Sequence, residues 1–195
     1  MNELSRIRNM AAANGMVLSR QVREAGIHLY YLQQLVRSGE LQQISRGIYM
    51  RSDAWEDDLF LFQQRYRRGI YSHDTALYLH GYSDRTPAQY TMTFPTNYHT
   101  TSLDAEPLLV HRTLPKNYEL GLTEMPSPSG NLLRVYDLER TLCDFVRGSG
   151  SDIQILNDAM KRYAGAKEKD IHKLMQYAAQ LRVKPKIMRY MEVLL

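Results

Sequence analysis

Hydrophobic positions recur at helical spacing in two short segments at the start of the chain. The inner positions of these segments are Leu4, Ile7, Ala11, Val22 and Ala25. Gly15 follows the first segment as a helix stop, Ser19 is a suitable cap for the second helix, and Gly26 supplies the tight turn after it. A third helix is expected next, because a helix-turn-helix places such a turn between two crossing helices.

The third segment has one apolar face and one polar face. It is expected to end at Ser38-Gly39. Its apolar positions are Ile27, Leu29, Leu32, Leu35 and Val36. Its other face carries His28, Tyr30, Tyr31, Gln33, Gln34 and Arg37. These side chains offer hydrogen bonds or ring edges to bases, and no carboxylate among them would repel phosphate.

Residues 41–44 and 48–50 have the composition of two strands. Ser45-Arg46-Gly47 joins them, with Gly47 suited to the positive φ of a hairpin turn and Arg46 at its tip. Three helices followed by a basic hairpin is the order of a winged helix-turn-helix, whose third helix enters the major groove of DNA. The predicted DNA-binding residues are Arg20, Arg23, His28, Tyr30, Tyr31, Gln33, Gln34, Arg37 and Arg46.

The rest of the chain alternates strand and helix patterns. Strands are predicted over 89–94, 107–112, 118–124 and 132–136, and helices over 55–68, from Ser72, from Leu138 to an end at Gly148, and over 152–163, 168–180 and 185–195. We therefore predict an α+β protein with a winged helix-turn-helix at 1–51 and, at 52–195, a domain with a small sheet and a helical tail.

The net charge of +4 is concentrated at the start of the chain. Residues 1–51 hold seven Arg and three Glu, which gives 7 − 3 = +4, whereas the remainder holds 18 basic and 18 acidic residues. Because arginine suits forked contacts with phosphate and guanine, this asymmetry indicates a polyanionic partner. Arg65, Arg67 and Arg68 either extend the basic surface or match the dipole of their own helix.

Composition also excludes several classes of protein. No apolar run approaches the ~18 residues needed to cross a bilayer, and the first residues lack a secretory pattern, so a cytoplasmic protein without membrane contact is expected. Cys143 is the single cysteine, which excludes an internal disulfide and a thiolate zinc site. We expect no cofactor and no metal.

Several segments resemble those of AbiEi-type antitoxins. Gly15, residues 17–26, 35–41 and 44–49 are similar to the N-terminal winged helix of that family. YSHDTALYLHG at 71–81 and VYDLERTLCD at 135–144 are similar to two signature stretches of its C-terminal half. His28 departs from the pattern, since the recognition helix usually opens on Ser or Thr, and a weaker cap is expected there.

The resemblance implies an antitoxin and autorepressor of a type IV toxin–antitoxin, or abortive infection, operon. The winged helix would bind operator DNA, expected as repeated half-sites, and the C-terminal domain would counter a nucleotidyltransferase-like toxin without needing a stable complex. The alternatives are a stand-alone DNA-binding regulator, whose C-terminal domain mediates self-association or senses a ligand, and a nucleic-acid-processing enzyme.

Candidate catalytic patterns argue against the enzyme. Ser72-His73-Asp74 holds the residue types of a hydrolase triad, but sequence neighbours diverge by about 100° on a helix, so no hydrogen-bonded relay is expected. His73 and His80 are too far apart on a helix for one metal ion, and Gly148-Ser149-Gly150 lacks the rest of a phosphate loop. Asp137, Glu139 and Asp144 could suggest a metal-dependent nuclease. However, Asp144 is expected to pair with Arg140 at i, i+4, and no lysine follows at nuclease-like spacing.

Overall fold

The structure is a computed structural model, which describes residues 2–54, 56–98, 108–148 and 152–194. The chain forms two compact units: Met1–Leu61 together with Pro126–Asn131, and Phe62–Met125 together with Leu132–Leu195. Both contain helices and a sheet, which confirms the predicted α+β class. Some predicted elements include residues outside the described ranges, namely Trp55, Pro107, Ser149, Gly150 and Leu195.

The first unit has the element order of a winged helix-turn-helix. Its elements are α1 (Glu3–Ala12), β1 (Met16–Leu18), α2 (Ser19–Glu24), α3 (Leu29–Arg37), β2 (Leu41–Ser45) and β3 (Ile48–Arg51). The three strands form an antiparallel sheet in the order β1-β3-β2. Strand β1 has no counterpart among the predicted elements, because three consecutive buried residues carry no strand periodicity.

The core of the first unit is built from the apolar positions that the sequence pattern selects. Ile7, Val22, Leu32 and Leu35 are buried together, whereas Leu4, Ala25, Leu29 and Val36 pack against this cluster at its edge. The inner faces of α1, α2 and α3 and one face of the sheet therefore form a single hydrophobic core. This packing presents the opposite face of α3 outward.

The loop Pro126–Asn131 belongs to the first unit although it comes late in the chain. The buried carboxylate of Asp57 accepts a hydrogen bond from the Asn131 side-chain amide at 2.7 Å and another from the Ser127 hydroxyl. It also accepts from the backbone N–H of Phe60 at 3.1 Å, in the first turn of the helix α4 (Asp58–Arg65). Chain segments about 70 residues apart thus close one buried polar network.

The second unit contains a five-stranded sheet and a group of helices. Its further elements are β4 (Ile70–Tyr71), α5 (His73–Leu79), β5 (Tyr90–Pro95), β6 (Leu108–Thr113), α6 (Pro115–Tyr118), β7 (Leu122–Pro126), β8 (Leu132–Tyr136), α7 (Leu138–Arg147), α8 (Ile153–Gly165), α9 (Ile171–Gln180) and α10 (Lys184–Leu194). The strand order is β6-β5-β4-β8-β7. The pair β4/β5 is antiparallel, whereas β4/β8 and β5/β6 are parallel.

The helices α7–α10 enclose the apolar core of the second unit. Leu142, Met160, Leu174 and Ile187, one from each helix, are fully buried in it. Cys143 is fully buried in the same cluster. Within the described part of the chain, no helix is long and apolar enough to cross a membrane.

Two predicted elements of the second unit differ from the structure. The predicted strand over 118–124 begins instead as the short helix α6, because Pro115 provides the fixed φ of a first helical turn, and β7 starts only at Leu122. Of the helix predicted over 55–68, the described residues form helix over Asp58–Arg65, which is α4.

Candidate nucleic-acid interface

The outer face of α3 carries four of the predicted DNA-binding side chains. Tyr30, Gln33, Gln34 and Arg37 are spaced so that they fall within an arc of about 100° on a helix of 3.6 residues per turn. The Gln34 amide donates to the Tyr30 hydroxyl at 3.0 Å, which holds two polar ends side by side. Tyr30 is 53% exposed, although a tyrosine usually buries its ring.

Tyr31 is also predicted to bind DNA, but it does not lie on the same face of α3 as Tyr30. It lies one residue, about 100°, further around the helix and packs against the edge of the first unit's core. Its ring meets the Tyr30 ring edge-on, with centroids 5.7 Å apart. Tyr31 therefore supports the orientation of Tyr30, and its own ring is half-buried.

His28 caps α3, at the position where the sequence predicts a weaker cap than Ser or Thr would give. Its Nδ1 accepts a hydrogen bond from the backbone N–H of Tyr30 at 3.2 Å, in the place where the oxygen of a serine or threonine usually accepts. The exposed imidazole retains its second nitrogen for an outside partner. One side chain thus fixes the start of α3 and remains available at the predicted interface.

Several arginines of the first unit are held in ion pairs. Arg8 makes two hydrogen bonds to the Glu40 carboxylate, at 2.7 and 2.9 Å, and Arg51 binds Asp53 in the same forked manner. The Arg8 guanidinium lowers the pKa of Glu40 through these hydrogen bonds. The paired arginines also include Arg6 with Glu3 at 3.0 Å and, more loosely, Arg20 with Glu24 at 3.6 Å.

Three arginines remain without such partners. Within the described ranges, Arg23, Arg37 and Arg46 form no ion pair, and all three side chains are exposed. They come from the last turn of α2, the last turn of α3 and the hairpin between β2 and β3. Among the described arginines of the first unit, these three are therefore the ones whose guanidiniums no carboxylate occupies. All three are predicted to contact DNA.

The wing, which is the hairpin formed by β2 and β3, is joined to the start of α2 by a close backbone contact. The Ser19 N–H donates to the Gly47 carbonyl at 2.9 Å. Gly47 has a φ of +81°, and a Cβ there would come within 2.8 Å of the Ser19 hydroxyl. A β-bulge between Gln43 and Ser45 shifts the register just before the turn. These features orient the Arg46 tip relative to the helices of the first unit.

The arginines at the end of α4 lie in the second unit. Arg65, Arg67 and Arg68 are exposed there. The Arg65 guanidinium lies 5.7 Å from the Tyr66 ring centroid, and the backbone carbonyls of Arg67 and Arg68 accept hydrogen bonds from Arg134 and Tyr118. A contact of these three side chains with DNA stays a prediction.

The predicted ion pair in α7 is present and fully buried. The Arg140 Nε donates to Asp144 at 2.9 Å, and its NH1 donates to the carbonyls of Asn117 and Leu120 at 2.6 and 2.7 Å. The guanidinium also lies 4.1 Å from the Tyr136 ring centroid. Arg140 therefore ties α7 to the turn after α6.

The acidic residues at the start of α7 meet a lysine that local spacing does not indicate. Lys173, on α9, lies 2.9 Å from the Asp137 carboxylate and 3.0 Å from that of Glu139. The Tyr163 hydroxyl donates to Glu139 at 3.0 Å, and Asp137 caps α7 through the Arg140 N–H. Both carboxylates are thus engaged in holding α7 to α8 and α9. Across the described ranges, no group of three His, Cys, Asp or Glu residues is placed to hold a metal ion.

The side chains of Ser72 and His73 are in contact, although the sequence predicts that these neighbours diverge. Ser72 precedes α5, but its hydroxyl makes no bond to the helix backbone; it accepts from the Thr93 hydroxyl at 2.8 Å and contacts the His73 Nδ1 at 3.1 Å. The prediction that these two neighbours diverge is wrong, because Ser72 is extended and His73 has a φ of +47°. Asp74 is not part of this chain of contacts.

Comparison with known proteins relates a segment of the first unit to a described family. Residues 5–52 match the model of a family described as transcriptional regulator, AbiEi antitoxin, which confirms the resemblance over that segment. A search of curated proteins found no match. Among solved structures, the RV2827C protein from Mycobacterium tuberculosis matches 97% of this chain and 80% of its own, with 15% identity and a TM-score of 0.47.

Proposed function

We propose that this AbiEi-type transcriptional regulator is the antitoxin and autorepressor of a type IV toxin–antitoxin, or abortive infection, operon. It would bind operator DNA in the cytoplasm through α3 and the wing, and counter a nucleotidyltransferase-like toxin through its second unit. The observation that carries the DNA-binding half is the set of three exposed arginines without an ion pair in the described residues, namely Arg23, Arg37 and Arg46.

The outer face of α3 has the chemistry of a recognition helix. Gln33 and Gln34 carry amides of the type that bind adenine at its N6 and N7 in the major groove. Arg37 follows one turn later and suits either guanine or phosphate. In winged helices the recognition helix enters the major groove and the wing follows the adjacent backbone, which assigns Arg46 to a phosphate. Phosphate contacts orient the protein, and the glutamines supply sequence preference.

The operator is expected to contain repeated half-sites. One small DNA-binding module covers too few base pairs to select one site in a genome. Two copies on neighbouring half-sites, about one helical turn or a multiple of it apart, would double the contacted sequence. A footprint of the upstream region would show protected segments at that spacing.

Fluorescence anisotropy with the DNA upstream of the gene tests the interface. Arg37→Ala and Arg46→Ala should each weaken binding, by about 1–3 kcal/mol for a bidentate base contact and by less for a phosphate contact. Removal of a phosphate contact should also reduce the salt slope by about 1. Arg8→Ala is the matched control, because it removes the same charge from the same unit at a site already paired with Glu40.

Two results would count against the proposal. Unchanged binding in both the Arg37 and Arg46 variants would remove α3 and the wing from the interface. An equal loss of affinity in the Arg8 variant would mean that the net charge of the unit, and no local contact, attracts DNA. Circular dichroism of each variant checks that it is folded.

The antitoxin half rests on the resemblance and needs its own test. Co-expression of the full chain with a nucleotidyltransferase-like protein encoded beside it should restore growth. A chain carrying Arg37→Ala and Arg46→Ala should restore it equally, because toxin neutralisation is assigned to the second unit. Failure of both chains to restore growth would favour the alternative of a stand-alone DNA-binding regulator.

We also infer that the chain acts by binding and not by catalysis. The carboxylates that a nuclease would need are already engaged: Asp137 and Glu139 with Lys173, and Asp144 with Arg140. Incubation of the purified protein with nucleic acid and divalent cations should leave the nucleic acid intact.

A further inference from the structure

The second unit contains a cavity of about 500 Å³ between the start of α5, the strands β5 and β6, and the end of α7. Its volume lies in the range of about 300–1,000 Å³ typical of small-molecule sites. Six polar side chains of its lining bear on ligand binding: His73, Asp74, His111, Arg112, Thr113 and Arg147. The interface on α3 uses none of them.

Thr113 lines the cavity and carries a buried hydroxyl without a partner in the described part of the chain. The residue is 3% exposed, and among the described residues its Oγ1 is the one buried side-chain oxygen or nitrogen atom without a hydrogen-bond partner. Buried polar side chains are normally hydrogen-bonded, because an unsatisfied group costs about 1–3 kcal/mol. A rotation of the Thr113 side chain that turns its hydroxyl into the adjoining cavity would let a ligand acceptor satisfy it.

His73 is held against the cavity in a strained backbone conformation. Its φ of +47° is unusual for a residue other than glycine, and such strain is concentrated at functional sites. Its ring stacks on His111, with centroids 3.7 Å apart and planes at 14°. The Thr93–Ser72–His73 contacts fix the ring from its Nδ1 side. Burial lowers the pKa of His73 to about 3, helped by His111, Arg140 and Arg147, so the imidazole is neutral.

Two guanidiniums in the cavity lining are free to bind an anion. Arg112 and Arg147 are exposed and form no ion pair within the described ranges, although Arg112 donates to the Tyr98 carbonyl at 2.5 Å. Arg140 also lines the cavity, but Asp144 neutralises it. The remaining acid is Asp74, which is half-buried. The lining therefore has two free positive charges against one negative charge.

We propose that this cavity binds a small metabolite that carries a phosphate monoester. The doubly charged phosphate would match the guanidiniums of Arg112 and Arg147, whereas a single carboxylate would neutralise only one of them. The Thr113 hydroxyl and the His73 imidazole would donate to its remaining oxygens. Asp74 would accept a hydrogen bond from a hydroxyl or amino group on the rest of the metabolite.

A titration of the full chain with inorganic phosphate tests the site. Amide resonances of residues around His73, Thr113 and Arg147 should shift and saturate, and acetate or chloride at the same ionic strength should not reproduce the effect. Arg147→Ala should weaken phosphate binding by about 10- to 100-fold, as expected for a charge-assisted hydrogen bond. Thr113→Val keeps the side-chain shape and should weaken it by about two- to tenfold.

Arg189→Ala is the matched control, since it removes an exposed arginine of the same unit that lies on α10, outside the cavity lining. Phosphate affinity in this variant should be unchanged. The proposal is overturned if phosphate shifts do not saturate, if acetate binds as well as phosphate, or if the Arg147 and Arg189 variants lose affinity equally. Because Arg147 is exposed, its variant should fold, and the result does not depend on Thr113→Val being stable.

Discussion

Acidification should destabilise the second unit through His73. The unfolded chain binds a proton at this residue below pH 6.5, whereas burial lowers the pKa in the folded protein to about 3. Between these values the unfolded state holds more protons, so the free energy of unfolding falls as the pH falls. From pH 7 to pH 5 the loss attributable to His73 is about 2 kcal/mol, with a limiting slope of about 1.36 kcal/mol for each pH unit.

The variant His73→Asn isolates this contribution. Asparagine tolerates a left-handed φ better than most residues, and its amide does not titrate in this range. His111, whose pKa burial also lowers, is present in both proteins. The wild-type protein should therefore lose about 2 kcal/mol more than the variant between pH 7 and pH 5.

Hydrogen exchange of the buried α7 amides, such as those of Leu142 and Phe145, measures the stability of this unit at both pH values. An NMR titration of the imidazole gives the protonation midpoint directly. Equal pH dependence in the wild-type protein and the variant would contradict the role assigned to His73, as would a midpoint near 6.5 for its imidazole.

Two further predictions concern the packing around Arg140. Gly121→Ala should destabilise the second unit more than Gly81→Ala: both glycines have a positive φ, but only at Gly121 would a Cβ meet the Arg140 side chain, at 2.6 Å. Chemical denaturation should show a difference of about 1–3 kcal/mol, the usual cost of overpacking, and equal losses of stability would argue against it. Asp144→Asn should cost about 3–5 kcal/mol, because it leaves the Arg140 charge buried without its partner. A variant of unchanged melting temperature would show that the backbone carbonyls around Arg140 suffice.

Local sequence signals predicted the helices of the first unit well. Leu32 and Leu35 recur at helical spacing, and that spacing alone identifies the buried face of α3 and hence its outer face. The turn at Gly47 follows from its need for a positive φ, which is also a local property. A weaker cap is expected at His28, because imidazole seldom replaces a hydroxyl at this position, and in the structure its Nδ1 takes the capping role.

Elements that depend on distant partners could not be predicted. The strands β1 and β4 have three and two residues, and each exists because a partner strand supplies its hydrogen bonds. Lys173 reaches Asp137 across the packing of α9 on α7, which no spacing within one helix reveals. Arg8 and Arg51 are occupied by ion pairs with Glu40 and Asp53, whereas some other described arginines of the first unit form no ion pair. The sequence does not show which arginines are paired, because the pairing depends on the folded structure.

The late loop around Asn131 gives the first unit a discontinuous sequence. A fragment cut after residue 61 would keep the Asp57 carboxylate but lose the Ser127 and Asn131 donors that satisfy it. An unsatisfied buried carboxylate is costly, so the first unit does not transfer to another protein as a simple N-terminal fragment. Recombination between relatives would have to exchange both segments together, which couples the inheritance of the first unit to that of the sequence following it.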